Sequence, residues 1–444
     1  MNRNPGAPSS DHPFADAQHG GSPVNVEQPG YRPRVADREL RERLTWAGAV
    51  VIEGPRACGK TWTARRIAES GVLLDVDDQA RQLARLEPGE VLAGPTPRLI
   101  DEWQLEPHLW NHVRHAVDDR QAKGQFILTG SAVPPADFTR HSGAGRFSRL
   151  RLRPMSLFEL GHATGSVSLC SVLAGEPVPG CESRLHTRDL AQLICVGGWP
   201  AHLRASPGEA LRANRDYLAE VSRVDVERVN GVRHDPNRVQ RLMQSLARNV
   251  ATYASIATMA ADVGGSDARL MPHTARHYLT ALERLMLIED QPPWAPHLRS
   301  RSRLRSSPKR HFVDPSLAAA ALRADPDYLM RDISWFGFLF ESMAVRDLRV
   351  YAQATDASVY QYRDNTGLEV DAVVDAGPGR WAAFEVKLGT SRIDAAARTL
   401  RRFADRVDIS RCGEPAALGV IVHSGYGYTR PDGVAVIPVG SLGP

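Results

Sequence analysis

Residues Gly54, Pro55, Arg56, Ala57, Cys58, Gly59, Lys60 and Thr61 spell G-x-x-x-x-G-K-T. This pattern predicts a loop whose backbone N–H groups, together with the start of the following helix, cradle phosphates. Its surroundings fit. An apolar run over residues 47–52 precedes it and suits a buried parallel strand. Residues 62–69 follow as a helix. Lys60 is then placed to face the β and γ phosphates of a triphosphate, and the Thr61 hydroxyl to sit on Mg²⁺.

A second strand over residues 98–100 feeds into Asp101 and Glu102. In phosphoryl-transfer sites a strand-end Asp orders the Mg²⁺ shell, so Asp101 takes that role. Glu102 is the candidate general base for the attacking water. A third strand is expected over residues 125–131. It ends in Thr129 and Ser131, which could sense the γ-phosphate or position the water. Arg146, and after it Arg149, are candidates to stabilise transition-state charge, in their own site or in a neighbour's. A solvated loop arginine is the competing reading of both.

These segments resemble a family. The loop from Gly54 to Thr61, the runs 99–102 and 127–131, Gly145-Arg146 and the stretch 153–160 look like the prokaryotic AAA-type ATPases that carry a C-terminal domain of unknown function related to restriction endonucleases. Gly197, Gly198, Trp199 and Pro200 match that family's Gly-Gly-aromatic-Pro element. The likeness covers about residues 38–440. It implies an ATP-binding α/β fold with ATP and Mg²⁺ as cofactors, and it assigns no biological role.

At 444 residues the chain is long enough for several domains. No run of roughly 18 or more apolar residues predicts a membrane helix, and the N-terminus lacks a signal-peptide pattern, so cytoplasm is the expectation. The five cysteines show no C-x-x-C spacing and read as reduced thiols. The formal net charge of +4 does not by itself imply nucleic acid. Basic residues are nonetheless concentrated at Arg299, Arg301, Arg303, Arg305, Lys309 and Arg310, and at Arg146, Arg149, Arg151 and Arg153. Such runs read as solvated loops or as binding surfaces.

The expected organisation is a disordered leader over residues 1–37, rich in Pro, Gly and Ser, and a P-loop ATPase domain over 38–165. A helical linker or lid follows over 166–235, a winged-helix-like domain over 236–325 and a nuclease-like α/β domain over 326–444. The middle region rests on helices expected at 238–250, 255–264 and 272–288, with Leu279, Leu282, Leu285 and Met286 on one apolar face. Strand-like pieces follow near Ile288 and at 311–314. A DNA reading puts His273, Thr274, Arg276 and His277 in a groove. A packing module is the other reading, since the topology alone carries no function.

The C-terminal third holds a second constellation. A helix over residues 336–348 carries Glu341 near its start. Strands follow at 359–363, 369–374 and 381–387, separated by the turn signals Asn365-Thr366-Gly367 and 376–379. Strand alternation puts Glu385 and Lys387 on one face. Asp371 with Glu385-x-Lys387 resembles the D-x(n)-E-x-K signature of the restriction-endonuclease (PD-(D/E)XK) fold. That resemblance implies Mg²⁺ held by Asp371 and Glu385, Glu341 completing the shell, and Lys387 activating water for phosphodiester cleavage. Two functions stand open. One is an ATPase whose nucleotide state controls a domain that cleaves or binds nucleic acid. The other is an ATP-driven switch that binds a protein partner, with the nuclease-like fold as a docking platform. Oligomerisation would be needed for an arginine acting in a neighbour's site.

Overall fold

The computed structural model describes residues 30–131, 142–230, 234–264, 270–295 and 307–444. Five strands form the first sheet: β1 (Ala49–Glu53), β2 (Ser70–Leu73), β3 (Arg98–Asp101), β4 (Phe126–Gly130) and β5 (Phe147–Arg151). Their spatial order is β2-β3-β4-β1-β5, and every neighbouring pair is parallel. Strand alternation explains the apolar run in β1. Val50 and Ile52 enter one core with Leu40 and Leu44 of the helix Ala36–Trp46. Ala49 and Val51 enter the opposite core with Val113 and Val117 of the helix Leu109–Arg120. Both faces of the sheet are thus covered, as a parallel sheet requires.

Two boundaries differ from expectation. The helix after the phosphate loop spans only Lys60–Arg65, because the chain soon turns into β2 and Glu69 N already bonds Pro97 O. The expected leader is packed where the structure begins to describe it. Arg34 is buried, with its Nε 3.1 Å from Glu159 Oε1, and Tyr31 donates to Asp37 Oδ1 at 2.6 Å.

Residues 166–235 are not purely a helical linker. They include two short strands, β6 (Val167–Ser168) and β7 (Cys181–Ser183). Helices Thr187–Val196, Pro207–Glu220, Pro236–Arg248, Ile256–Gly264 and Pro272–Arg284 follow. The last helix stops at Arg284 and not at 288, because Met286 adopts φ 60°. The chain then enters β8 (Ile288–Gln291), which pairs antiparallel with β9 (Lys309–Phe312). Leu279, Leu282, Leu285 and Met286 are all buried. Arg299, Arg301, Arg303 and Arg305 lie outside the described residues.

The second large sheet comprises β10 (Ser358–Arg363), β11 (Glu369–Asp375), β12 (Trp381–Lys387), β13 (Ala417–Val422), β14 (Gly425–Thr429) and β15 (Ala435–Pro438), with β7 at its far edge. Its order is β10-β11-β12-β13-β15-β14-β7. β10, β11 and β12 form an antiparallel meander, and β13 lies parallel to β12. A last strand, β16 (Leu442–Gly443), pairs with β6. Residues 167–183 therefore supply strands to the C-terminal half.

Helix Ile333–Ala352 joins the parts. Asp332 caps it by accepting from Trp335 N at 3.0 Å, so Glu341 sits mid-helix, not near its start. Arg346 is buried with Nη1 2.8 Å from Asp314 Oδ2 and Nη2 2.7 Å from Asp347 Oδ1. Asp347 in turn accepts from Leu157 N at 3.1 Å, and Asp314 accepts from Gly198 N at 2.9 Å. Gly198 has no room for a side chain: a Cβ there would lie 2.1 Å from Met155 O. The Gly-Gly-Trp-Pro element is thus a seam between the first sheet, the middle helices and the C-terminal half. No helix among the described residues is long and apolar enough to cross a membrane.

Candidate functional site

β1 delivers the loop from Gly54 to Thr61 at the C-terminal edge of the parallel sheet. Gly59 has φ 104°, a left-handed geometry that costs glycine little. Lys60 is buried, and its ammonium donates to Gly54 O at 3.0 Å and Pro55 O at 2.8 Å. These carbonyls hold the lysine folded over its own loop. Thr61 Oγ1 donates to Asp101 Oδ1 at 2.9 Å. The strand order places β3 two strands from β1, with β4 between them. Parallel register then brings the ends of all three strands together.

Asp101 is buried, and burial pushes its pKa up against the opposing pull of hydroxyls from Thr129 and Thr61. Thr129 lies wholly inside and hydrogen-bonds Asp101 Oδ1, so it positions that carboxylate and does not face the cavity. Glu102 follows the strand with φ 53°. Its carboxylate accepts from Ser131 Oγ at 3.0 Å and from Gln104 Nε2. Such a backbone geometry on a non-glycine residue costs energy and turns the side chain out of the strand's alternation. Lys60, Thr61, Asp101, Glu102 and Ser131 border one cavity of about 1030 Å³. Arg56, Ala57 and Gly59 line it as well, whereas Gly54 and Pro55 meet Lys60 through their carbonyls and do not line it; Cys58 is buried beneath, 3.6 Å from Leu152 O.

Arg146 is not brought to this cavity. It immediately precedes β5, and its carbonyl accepts from Ala49 N at the start of β1, at the sheet edge opposite the phosphate loop. Its guanidinium pairs with Asp118 at 2.8 Å. This geometry keeps it from its own chain's cavity, leaving action on a neighbour or a plain surface ion pair as its role. Arg149 pairs with Glu53 and stacks over Trp110. Residues that the motif did not single out also border the cavity, Tyr31, Arg34 and Pro200 among them. Tyr31 and Arg34 come from the packed N-terminal segment. Pro200 comes from the seam, and Gly59 would touch both Arg34 and Pro200 if it carried a Cβ. Arg56 also reaches Asp225 at 2.9 Å, tying the loop to the middle helices.

The C-terminal constellation is gathered on one face of β11 and β12. Lys387 Nζ lies 2.9 Å from Asp371 Oδ2 and 2.5 Å from Glu385 Oε2. Val386 N also donates to Asp371 Oδ2 at 2.9 Å. Glu341 approaches from its helix. Between Glu341 and Asp371 stands a residue that the fold signature does not include: Lys309 of β9, 2.6 Å from Glu341 Oε1 and 3.3 Å from Asp371 Oδ1. Burial would raise the Asp371 pKa, but Lys309 and Lys387 outweigh it and hold it down at about 2. Burial and the Asp371 charge push Glu341 up to about 7 and Glu385 up to about 8. Among the described residues no group of three or more His, Cys, Asp or Glu side chains is placed to hold a metal ion.

Known proteins agree with the first half of this picture. Residues 47–161 match the family model of the AAA domain. That match spans the phosphate loop, Asp101 and Glu102. Residues 187–328 match a domain of unknown function, DUF8612, and residues 336–442 match another, DUF4143. The chain is 25% identical over 419 residues to an uncharacterized protein of Mycobacterium tuberculosis, Rv2008c, covering 92% of this chain and 84% of that protein. The same values hold for the uncharacterized protein Mb2031c of Mycobacterium bovis. Among solved structures, the Walker-type ATPase PABY2304 of Pyrococcus abyssi aligns with 67% of this chain and 99% of its own, at TM-score 0.40 and 14% identity.

The charge sequence gave no clue to Lys309, because its partners lie 32 and 62 positions away and it sat within a run that reads as solvated. Arg34 was hidden by the composition of its surroundings.

Proposed function

We propose that this protein binds ATP with Mg²⁺ and hydrolyses it in the cavity beside Lys60. The observation that supports this most is the contact of Thr61 and Thr129 with a single buried carboxylate, Asp101, next to the phosphate loop. Lys60 would exchange the Gly54 and Pro55 carbonyls for phosphate oxygens. Loop N–H groups would donate to the remaining phosphate oxygens. Thr61 and Asp101 are the residues that would hold Mg²⁺, which when bound neutralises charge on the phosphates. Glu102, fixed by Ser131 and Gln104, would take the proton of the attacking water. Calorimetry with ATP and Mg²⁺ tests this reading: Lys60→Ala should bind far more weakly, and wild-type affinity in that variant would sink it.

We infer further that the nucleotide state is passed to a C-terminal domain of restriction-endonuclease-like topology. In support, helix Ile333–Ala352, the β10-β11-β12 meander, helix Ile393–Ala404 and the parallel β13 follow one another in that fold's order. Two routes lead from the loop. One runs through Arg56 to Asp225. The other runs from Cys58 O through Arg34, Glu159 and Ser156 to Leu157 and Asp347 on the long helix. Helices Pro236–Arg248, Ile256–Gly264 and Pro272–Arg284 with the β8–β9 hairpin are read as winged-helix-like. His273, Arg276 and His277 are exposed, while Thr274 is half-buried. In the nucleic-acid reading this surface and the C-terminal domain contact DNA or RNA, with cleavage at Asp371, Glu385 and Lys387. The docking-platform reading is favoured by one observation, the two lysines already filling that site. ATPase assays with and without nucleic acid separate the readings: stimulation supports the first, and indifference supports a protein partner.

A further inference from the structure

The carboxylates of the C-terminal cluster are matched by cations from within the chain. Glu341 Oε1 receives Lys309, Asp371 Oδ1 receives Lys309, Asp371 Oδ2 receives Lys387 and Val386 N, and Glu385 Oε2 receives Lys387. A hard divalent ion needs several such oxygens at about 2.0–2.6 Å in the space between the carboxylates. Here the Lys309 ammonium stands in that space between Glu341 and Asp371, with 3–4% of its surface exposed. The ring of Tyr253 covers it at 5.6 Å, adding an aromatic face to the charged walls.

The segment that delivers Lys309 is fastened to the same domain. Gln291 Nε2, on the paired strand β8, donates to Tyr360 O and Asp371 O, both at 2.9 Å. His311, two residues along β9, is buried between Gln291 Oε1 at 3.0 Å and Ser342 Oγ at 3.1 Å. Beyond β8, Gln361 N bonds Pro292 O at 2.9 Å, and Trp294 N bonds Gln361 O at 2.6 Å. The Trp294 ring packs on Trp381 and Phe403 in the core beneath β11 and β12. Withdrawing Lys309 would mean unpicking these bonds together.

We propose that Lys309 is the resident cation of this cluster, occupying the position where a nuclease-like site would take a divalent ion, so that the cluster binds the β8–β9 hairpin instead of metal. The proposal rests on the nuclease-like reading of the fold only for which ion is displaced. The cluster then works as an internal clasp between the middle region and the C-terminal domain. A buried charge left without its partner is heavily penalised, which gives the clasp its specificity.

The test is Mn²⁺ binding by electron paramagnetic resonance on the full chain without nucleotide. Wild type should show no bound ion that is sensitive to Asp371→Asn. Lys309→Met frees the acidic pocket and should gain a site at least about ten-fold tighter, lost again in Lys309→Met/Asp371→Asn. An Asp371-dependent ion in wild type would overturn the proposal. So would a folded Lys309→Met that gains nothing. If Lys309→Met fails to fold, the wild-type melting temperature decides. It should be the same in EDTA and in MnCl₂, and a rise in MnCl₂ that Asp371→Asn abolishes would overturn the proposal. Cleavage bears on the fold reading alone: Lys309→Met that binds Mn²⁺ without cutting DNA supports the resident cation and sinks the nuclease.

Discussion

The two charged sites of this chain use the same residue types and reach opposite ends. At the phosphate loop, Lys60 is held by two backbone carbonyls beside a cavity of about 1030 Å³. Neutral carbonyls are weak partners for an ammonium, so an anion with several oxygens displaces them readily. At the C-terminal cluster, Lys309 and Lys387 are held by carboxylates at 2.5–3.3 Å. An external ion there must outcompete a full charge that is already desolvated. On the readings proposed above, the lysine is a binding device in the first place and a structural one in the second. What separates them is whether the lysine's own partners are charged.

That contrast can be broken from either side. The largest effect is expected from Lys60→Ala, which removes the cation facing the phosphates. ATP–Mg²⁺ affinity, measured by calorimetry, should fall by roughly 30-fold to 1000-fold, from about 2–4 kcal/mol of charge-assisted hydrogen bonding. Next is Glu102→Gln, which keeps shape and loses the proposed base. Nucleotide binding should persist while steady-state turnover drops by about 10²–10⁴-fold. Equal turnover in Glu102→Gln would remove that residue from the chemistry.

The closed site is probed by stability. Lys309→Met leaves Glu341 without its ammonium in the interior and Asp371 with Lys387 as its one remaining cation. Breaking a buried pair costs about 3–5 kcal/mol, and the melting temperature should fall by several degrees. The double variant Lys309→Met/Glu341→Gln should recover part of that loss, because the stranded charge is gone. A smaller effect is expected at the seam. Gly198→Ala pushes a methyl against Met155 O and should cost about 1–3 kcal/mol in thermal unfolding, with the loop's sequence intact.

Much of the first site was legible because its residues are consecutive. The loop, the strand before it and the pair Asp101–Glu102 are local patterns, and strand alternation in β1 divided its side chains between two cores. What was not legible depended on distance in the sequence. Arg146 follows the right strand in order, yet the parallel register puts it at the wrong end of the sheet. Thr129 lies beside Asp101 at the end of its strand, but its hydroxyl turns inward to that carboxylate and not to the cavity. The C-terminal strands were also readable, with β12 spanning Trp381–Lys387. Their chemistry was not, since Lys309 arrives from a different hairpin. Alternation can say that Glu385 and Lys387 share a face. It cannot say what lies across from them.

Arg146 offers a last refinement of the comparison. Its pairing with Asp118 leaves nucleotide binding within one chain untouched, so Arg146→Ala should bind ATP within about two-fold of wild type. If it serves a neighbour's site, turnover per chain should rise with protein concentration in wild type and stay flat in Arg146→Ala. Flat turnover in both would confine the arginine to its surface pair.

The contrast between an open and a closed lysine site is tested most directly by counting manganese ions on the wild-type chain with and without a non-hydrolysable ATP analogue. One tightly bound ion should appear with the nucleotide and disappear without it, because on the proposed reading Thr61 and Asp101 would hold it only alongside phosphate. An ion that stays bound without nucleotide and is lost in Glu385→Gln would contradict the account.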